Sequence, residues 1–446
     1  MTSFPIQPFI DAQKARGVHI MVLAICTLVM FIDGLDIFMV GKIAPAIARG
    51  MGSPPAAMTL VFVCQQAGLA IGAFVASPMA DRFGRRRMLI IASVIFGVLT
   101  LAAAFTTTLL QLAILRGLSG IFLSSGLPIA VSLLAEVTPR HRRGTFIAIA
   151  FTGYSAGGAA GGAIAAWLID IYGWQSGFWI GGLLPLISVP LMMIFLPESP
   201  QYLASRNGRD ARIAPILRRI DRQVALTGEE TFVVGDGSAK KGDAGLLDIF
   251  RDGRAAITTI LWVACVLSMG SIALMAAWLP TFFQEMAGIP IQRFAILAMF
   301  GFFGGVVGTL AIGSLMDKIR PSRLIPFAYL CLAGTFVLLG VVPFEASGFI
   351  VVLLAMNLFQ SGGQAGLNTL MTQIYPASMR STGLGWAGGC GRIGGVLLPI
   401  FGGFAVRSDF SLQTTMTIVA LAPLCVALLL MTMPTPGRTD AVRPAA

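Results

Sequence analysis

Asp81-Arg82-Phe83-Gly84-Arg85-Arg86-Arg87 closes one apolar run of the chain, and Asp317-Lys318-Ile319-Arg320-Pro321-Ser322-Arg323 closes another, 236 residues later. Pro139 with Arg143 is matched by Pro376 with Arg380 at an offset of 237, and Gly157-Gly158 is matched by Gly394-Gly395 at the same offset. Three landmarks that agree within one residue divide the chain into two related halves in parallel order. Apolar runs fill the intervals, at roughly 18–47, 58–80, 88–107, 109–135, 144–169, 173–196, 255–284, 292–316, 323–343, 348–374, 381–406 and 411–433. Most reach the about 20 residues that a helix needs to cross a bilayer, and none alternates with the period of two of a barrel strand. The expected fold is an all-α membrane protein of twelve transmembrane helices in two pseudo-symmetric six-helix bundles. Secondary transporters with this architecture hold their substrate near the midplane.

Of the 446 residues, 56% are apolar and 11% charged, with a mean hydropathy of +0.84. A soluble domain is about 25% charged, so this chain cannot cover a soluble fold of its length. Soluble multi-domain enzymes, secreted disulfide scaffolds, nucleic-acid binders and disordered chains are excluded. The net charge of +11 is explained by placement. Of 31 Lys and Arg, Lys42, Arg49, Arg293 and Arg407 fall in one set of loops, Arg116 and Arg392 fall within apolar runs, and the remaining 25 occupy the tails and the other loops. The positive-inside rule then puts both termini in the cytoplasm, with the bases facing lipid headgroups of the cytoplasmic membrane rather than nucleic acid. Cys26, Cys64, Cys265, Cys331, Cys390 and Cys425 all lie in apolar runs and read as small packing residues. His19 and His141 are too scattered for a metal site, and the first run is too long for a cleavable signal.

The runs define a first bundle over 1–196, a cytoplasmic central loop over 197–254, a second bundle over 255–433 and a cytoplasmic tail over 434–446. In the loop, Ile213, Ile216, Leu217 and Ile220 have helical spacing among Arg212, Arg218, Arg219 and Arg222. This predicts an amphipathic helix lying on the cytoplasmic face of the membrane.

Charges inside the runs are costly and therefore informative. Asp33 and Asp36, three residues apart in the first run, share one helix face and titrate as a coupled pair. They are candidates for proton coupling, the alternative being a brace for a helix kinked near Gly34. Arg116 stands among Gly117, Ser119 and Gly120, and Arg392 is flanked by Gly391 and Gly394-Gly395. A guanidinium fork binds a carboxylate bidentately, which suits an organic acid. Arg116 is assigned to coupling and Arg392 to substrate, with the reverse assignment as the alternative. Asn357, Ser361, Gln364 and Asn368 form a polar stripe on an apolar helix, suited to hydrogen-bond a carboxylate or phenol or to join neighbouring helices. Ser268, Ser271, Met275 and Trp278 share a face that could supply the stacking side of an aromatic pocket. Asp81 with Arg85, Glu136 with Arg142 and Arg143, and the second-half Asp317 and Arg380 are gating candidates at run ends. Glu198 in Pro197-Glu198-Ser199-Pro200 is expected to anchor the loop.

The Asp81–Arg87 segment and its weaker copy resemble the loop signature of the major facilitator superfamily. Four more segments narrow the resemblance. They are Asp33-Gly34-Leu35-Asp36 with Gly41 and Pro45, Trp278-Leu279-Pro280-Thr281, Gly362-Gly363-Gln364-Ala365-Gly366-Leu367-Asn368, and Tyr375-Pro376 through Arg380, Gly383, Trp386, Gly391-Arg392 and Gly394. Together they are similar to the aromatic acid:proton symporter family over nearly the whole chain. Ser77 departs from the Gly usual in the superfamily signature, and Pro321-Ser322 stands where the first copy has Arg85-Arg86.

The resemblance implies a proton-coupled importer of a small aromatic carboxylate, benzoate-like or hydroxybenzoate-like, working by alternating access. Such a carrier is not an enzyme, needs no cofactor beyond the proton motive force, and has the acid, protons and the bilayer as its partners. No obligate protein partner is evident. A drug:proton antiporter is disfavoured because Gly153 to Gly162 contains no Pro, and a sugar porter because of the paired Asp. A transporter-like receptor for aromatic acids is the alternative of another class.

Overall fold

The computed structural model describes residues 3–14, 17–221, 224, 226, 230–233, 250, 254–316, 318–375 and 380–433. Among them are twelve helices long and apolar enough to cross a membrane. In the first half, span 1 is Val18–Gly50, span 2 Met58–Phe83, span 3 Arg85–Ala103, span 4 Leu109–Val137, span 5 Arg140–Trp167 and span 6 Gln175–Phe195. In the second, span 7 is Ala255–Ala287, span 8 Ile291–Met316, span 9 Pro321–Val341, span 10 Gly348–Ile374, span 11 Arg380–Arg407 and span 12 Leu412–Met431. Every end lies within four residues of the one expected from hydropathy.

The chain forms two compact units, one comprising Met1–Lys240 with Ala276–Met299 and the other Lys241–Met275 with Phe300–Ala446. The later part of span 7 and the start of span 8, expected in the second bundle, thus cluster with the first. Within each unit the repeated glycine pair does the same packing work. A Cβ on Gly157 of span 5 would come within 1.9 Å of the Phe31 carbonyl of span 1. A Cβ on Gly394 of span 11 would come within 1.9 Å of the Val266 carbonyl of span 7. Backbones approach this closely only where side chains are absent, which replaces hydrophobic drive as the source of helix affinity in lipid.

The first unit carries a small extramembrane cluster. The strands Ser3–Pro5 and Thr231–Val233 pair in parallel, with Ser3 opposite Thr231. Beside them lie the short helices Ile6–Ala12, Pro200–Arg206 and Ile213–Ile220. Ile6, Ile10, Leu203, Ile213, Ile216, Leu217 and Phe232 bury one another in a core of their own. The amphipathic helix exists where the spacing predicted it, but its apolar stripe is covered by protein instead of lying on the membrane. A seven-residue helix such as Ile6–Ala12 is too short to announce itself by periodicity, so its covering partner was not legible. Asp11 clips this cluster to the start of span 5, accepting from the Arg140 backbone N–H at 2.9 Å and pairing with its guanidinium at 3.3 Å.

Lys42 also differs from expectation. It is buried within span 1, not placed in a loop, and its Nζ donates to the Gly158 carbonyl of span 5 at 2.6 Å.

Candidate functional site

The first unit holds three of the predicted intramembrane charges, Asp33, Asp36 and Arg116. Span 4 starts at a capping box, in which Thr108 and Gln111 each satisfy the other's backbone N–H at 3.3 Å. That fixed start sets Arg116 about two turns into the helix. Its side chain crosses to span 1 and binds Asp36 through both terminal nitrogens, Nη1 to Oδ1 at 2.9 Å and Nη2 to Oδ2. Both residues are fully buried. The guanidinium also lies 5.7 Å from the ring centroid of Phe178 in span 6, so the pair is enclosed by spans 1, 4 and 6. A charge-assisted fork is the geometry in which a buried carboxylate can keep its charge.

Asp33 is placed differently. It is buried one turn earlier on span 1, and its carboxylate lies against Gly126 of span 4, where a Cβ would come within 2.5 Å of Oδ2. Arg116 gives it no hydrogen bond. The predicted trio therefore splits into an ion pair, Asp36 with Arg116, and a second acid close by without a share in the fork.

The second unit holds a polar chain. Ser268 of span 7 lies 2.6 Å from the Tyr329 hydroxyl of span 9 and donates to Gln364 Oε1 of span 10 at 2.7 Å. Gln364 Nε2 donates onward to Asn368 Oδ1 at 3.1 Å. Of the predicted stripe, Gln364 and Asn368 belong to this chain, whereas Asn357 turns away. Its amide donates to its own helix at Leu353 O, 3.0 Å, and packs against Gly301 of span 8. Ser361 likewise packs against Gly305. Those two positions are where the interhelical alternative holds. Arg392 is half-buried in span 11, beside the close approach of Gly391 to Met269. None of the hydrogen bonds made by Gln364 or Asn368 goes to it.

Trp278 does not share its surroundings with Ser268. It is fully buried in the first unit, edge-on to Phe62 of span 2 at 5.2 Å and stacked on Phe282 at 6.0 Å. Its indole N–H has no acceptor among the described residues.

Two of the gating candidates pair with each other. Arg85 pairs with Glu136 at 2.7 Å, and Glu136 also accepts from Ser132 at 3.2 Å and from Ser199. The pair lies wholly inside the first unit. Arg143 is half-buried, and its Nε has no hydrogen-bond partner among the described residues. The side chains of Asp81 and Arg380, and Asp317 as a whole, lie outside the described residues. Glu198 caps span 3: its Oε1 accepts from the Arg86 and Ser199 backbone N–H groups, both at 3.0 Å, beside Gly84 at φ +102°. Glu198→Ala removes a carboxylate from a helix N-terminus and is expected to cost about 1–2 kcal/mol. Thermal unfolding in detergent should show this as a lower Tm, with substrate KM unchanged, and an unaltered Tm would count against the capping role.

Three features escaped sequence reasoning. Lys42 sits between Gly41 and Pro45 near the end of its run and looked like loop. Tyr329 is one of only five tyrosines and lies in the middle of an apolar run, a place where a phenol needs a partner. The cross-pairing of Arg85 with Glu136 carries no local signal, because it joins residues 51 positions apart.

The Major Facilitator Superfamily model matches residues 26–356. A gallate transporter of Pseudomonas putida is 34% identical over 426 residues, covering 96% of this chain and 94% of its own. A 4-hydroxybenzoate transporter of Acinetobacter baylyi is 34% identical over 445 residues, covering 99% and 96%. Among solved structures, a D-xylose-proton symporter aligns with a TM-score of 0.71 at 17% identity, over 94% of this chain and 98% of that one. A bacterial homologue of the lysosomal transporter Spinster aligns with a TM-score of 0.69 at 15% identity, over 94% and 97%. At these identities the two structures speak for the fold alone.

Proposed function

Since the chain belongs to the Major Facilitator Superfamily, we propose that it imports a small aromatic carboxylate together with protons across the cytoplasmic membrane. It is a multi-pass membrane transporter and not an enzyme, and its near full-length relatives make it an aromatic acid transporter. Proton coupling, inward direction and cytoplasmic termini are the parts of the reading that go further.

The observation that carries the coupling is two buried carboxylates beside a single guanidinium fork. Arg116 is committed to Asp36. Asp33 therefore needs a proton when its surroundings are dry and can release it when they are wet, which is the cycle of a proton carrier. In this scheme the proton enters on Asp33, and Asp36 stays paired as the fixed end of the network. The substrate carboxylate meets Arg392 and the amides of Gln364 and Asn368, its ring lying against apolar side chains. Neutralising the acid lets the loaded carrier change its access, and deprotonation on the cytoplasmic side releases substrate. Asp81, Arg143, Asp317 and Arg380, with the Arg85–Glu136 pair, act at the gate by biasing the two access states through contacts worth about 1–3 kcal/mol.

Reconstitution in liposomes tests this. With one proton per substrate, an inward gradient of one pH unit supports about tenfold more accumulation, the equivalent of about 1.4 kcal/mol. Uptake of benzoate and 4-hydroxybenzoate is expected to follow the gradient. Flux that ignores the gradient overturns symport, and absence of flux with any hydroxylated benzoate overturns the substrate.

A further inference from the structure

Resting on the reading of the chain as a carrier of aromatic acids, we propose that Tyr329 and Ser268 are positioning residues that hold the Gln364 and Asn368 amides as a one-directional donor array for an acceptor oxygen of the substrate. A hydroxyl has one proton to give. Ser268 gives its proton to Gln364 Oε1 at 2.7 Å, so in its 2.6 Å contact with Tyr329 it accepts and the phenol donates. The direction of the chain follows, running from span 9 through span 7 to span 10. With its oxygen engaged by Ser268, the Gln364 amide turns its nitrogen to Asn368 Oδ1. Each amide oxygen then has a donor, and the hydrogens that the array leaves without a partner among the described residues are N–H: one on Gln364 and two on Asn368.

Asn368 is exposed, although it stands inside span 10, about 9 Å along the helix from the end at Ile374. A primary amide at such a depth is stable only against water or a polar solute, because lipid tails offer it nothing. A row of N–H donors matches a carboxylate or ring oxygen. Tyr329 itself cannot touch the substrate. It is fully buried, its ring lying under Gly363 with Cζ 3.3 Å from where a Cβ would stand. Its influence passes through Ser268. Without the phenol proton, Ser268 is free to rotate, the Gln364 amide can turn over, and the array becomes a mixture of donors and acceptors.

The test compares uptake kinetics of benzoate and 4-hydroxybenzoate in proteoliposomes for the wild type, Tyr329→Phe, Ser268→Ala, Gln364→Ala and the Tyr329→Phe/Gln364→Ala double variant. Phenylalanine keeps the ring over Gly363 and removes only the hydroxyl. Tyr329→Phe and Ser268→Ala are each expected to raise KM about tenfold, the worth of one hydrogen bond, with Vmax within about twofold. In the Gln364→Ala background, Tyr329→Phe should add nothing, since residues acting through a shared group are non-additive. Equal loss for both substrates assigns the oxygen to the carboxylate, and loss for 4-hydroxybenzoate alone assigns it to the ring. An unchanged KM in both single variants of native elution volume, or full additivity in the double variant, overturns the proposal. If the wild type carries neither acid, the functional reading fails first, and the two failures are thereby distinguished.

Discussion

Arg116→Met should abolish transport and destabilise the protein by about 3–5 kcal/mol, the cost of leaving one member of a buried ion pair without its partner. Asp36 and Arg116 are both fully enclosed, so water cannot take over the carboxylate that the substitution strands. The informative comparison is the double variant Asp36→Asn/Arg116→Met. Removing both charges at once avoids the stranded charge, so most of the lost stability should return. Transport should not return if the pair also holds span 1 against span 4 in a geometry that the coupling acid needs. Denaturant or thermal unfolding in detergent measures the first quantity and counterflow measures the second. A single variant within about 1 kcal/mol of wild type would show that the pair is solvated in solution, since exposed pairs are worth no more than that.

Asp33→Asn separates coupling from translocation. Asparagine has nearly the shape of aspartate and fits the same space against Gly126, but it cannot exchange a proton. The expected variant exchanges labelled for unlabelled substrate across a membrane without a gradient, within about threefold of the wild-type rate. Its response to one unit of pH difference should vanish, a loss of about tenfold in accumulation. Asp36→Asn should instead impair exchange as well, because it strands Arg116 in the interior. If Asp33→Asn still accumulates substrate against its gradient, the coupling proton resides elsewhere in the chain.

The contrast between these residues shows what the sequence made legible. A charge in an apolar run costs at least about 2.5 kcal/mol at the bilayer centre, so Asp33, Asp36 and Arg116 stood out at once. Their spacing did not say which acid takes the fork. That depends on the rotation of span 4 against span 1, which the glycine contacts of the bundle decide. Span limits were legible because they follow from local hydropathy. Partners across the bundle were not, which is why Arg85 meets Glu136 and why Asn357 leaves the stripe of Gln364 and Asn368. Trp278 makes the same point. Helical spacing put it on a face with Ser268, yet packing buries it against Phe62, because a helix of 33 residues passes more than one neighbourhood along its length.

The small cluster formed by Ser3–Pro5, Ile6–Ala12, Pro200–Arg206, Ile213–Ile220 and Thr231–Val233 has a consequence for biosynthesis. Ser3 finds its strand partner at Thr231, and Gln7 its hydrogen-bond partner at Gln201, 194 positions downstream. The ribosome therefore delivers Ile6 and Ile10 long before anything exists to cover them, and six helices must enter the bilayer in the meantime. At about 5–20 residues per second, that leaves two apolar side chains uncovered for roughly 10–40 s. The cluster can therefore close only after the first six spans have been made.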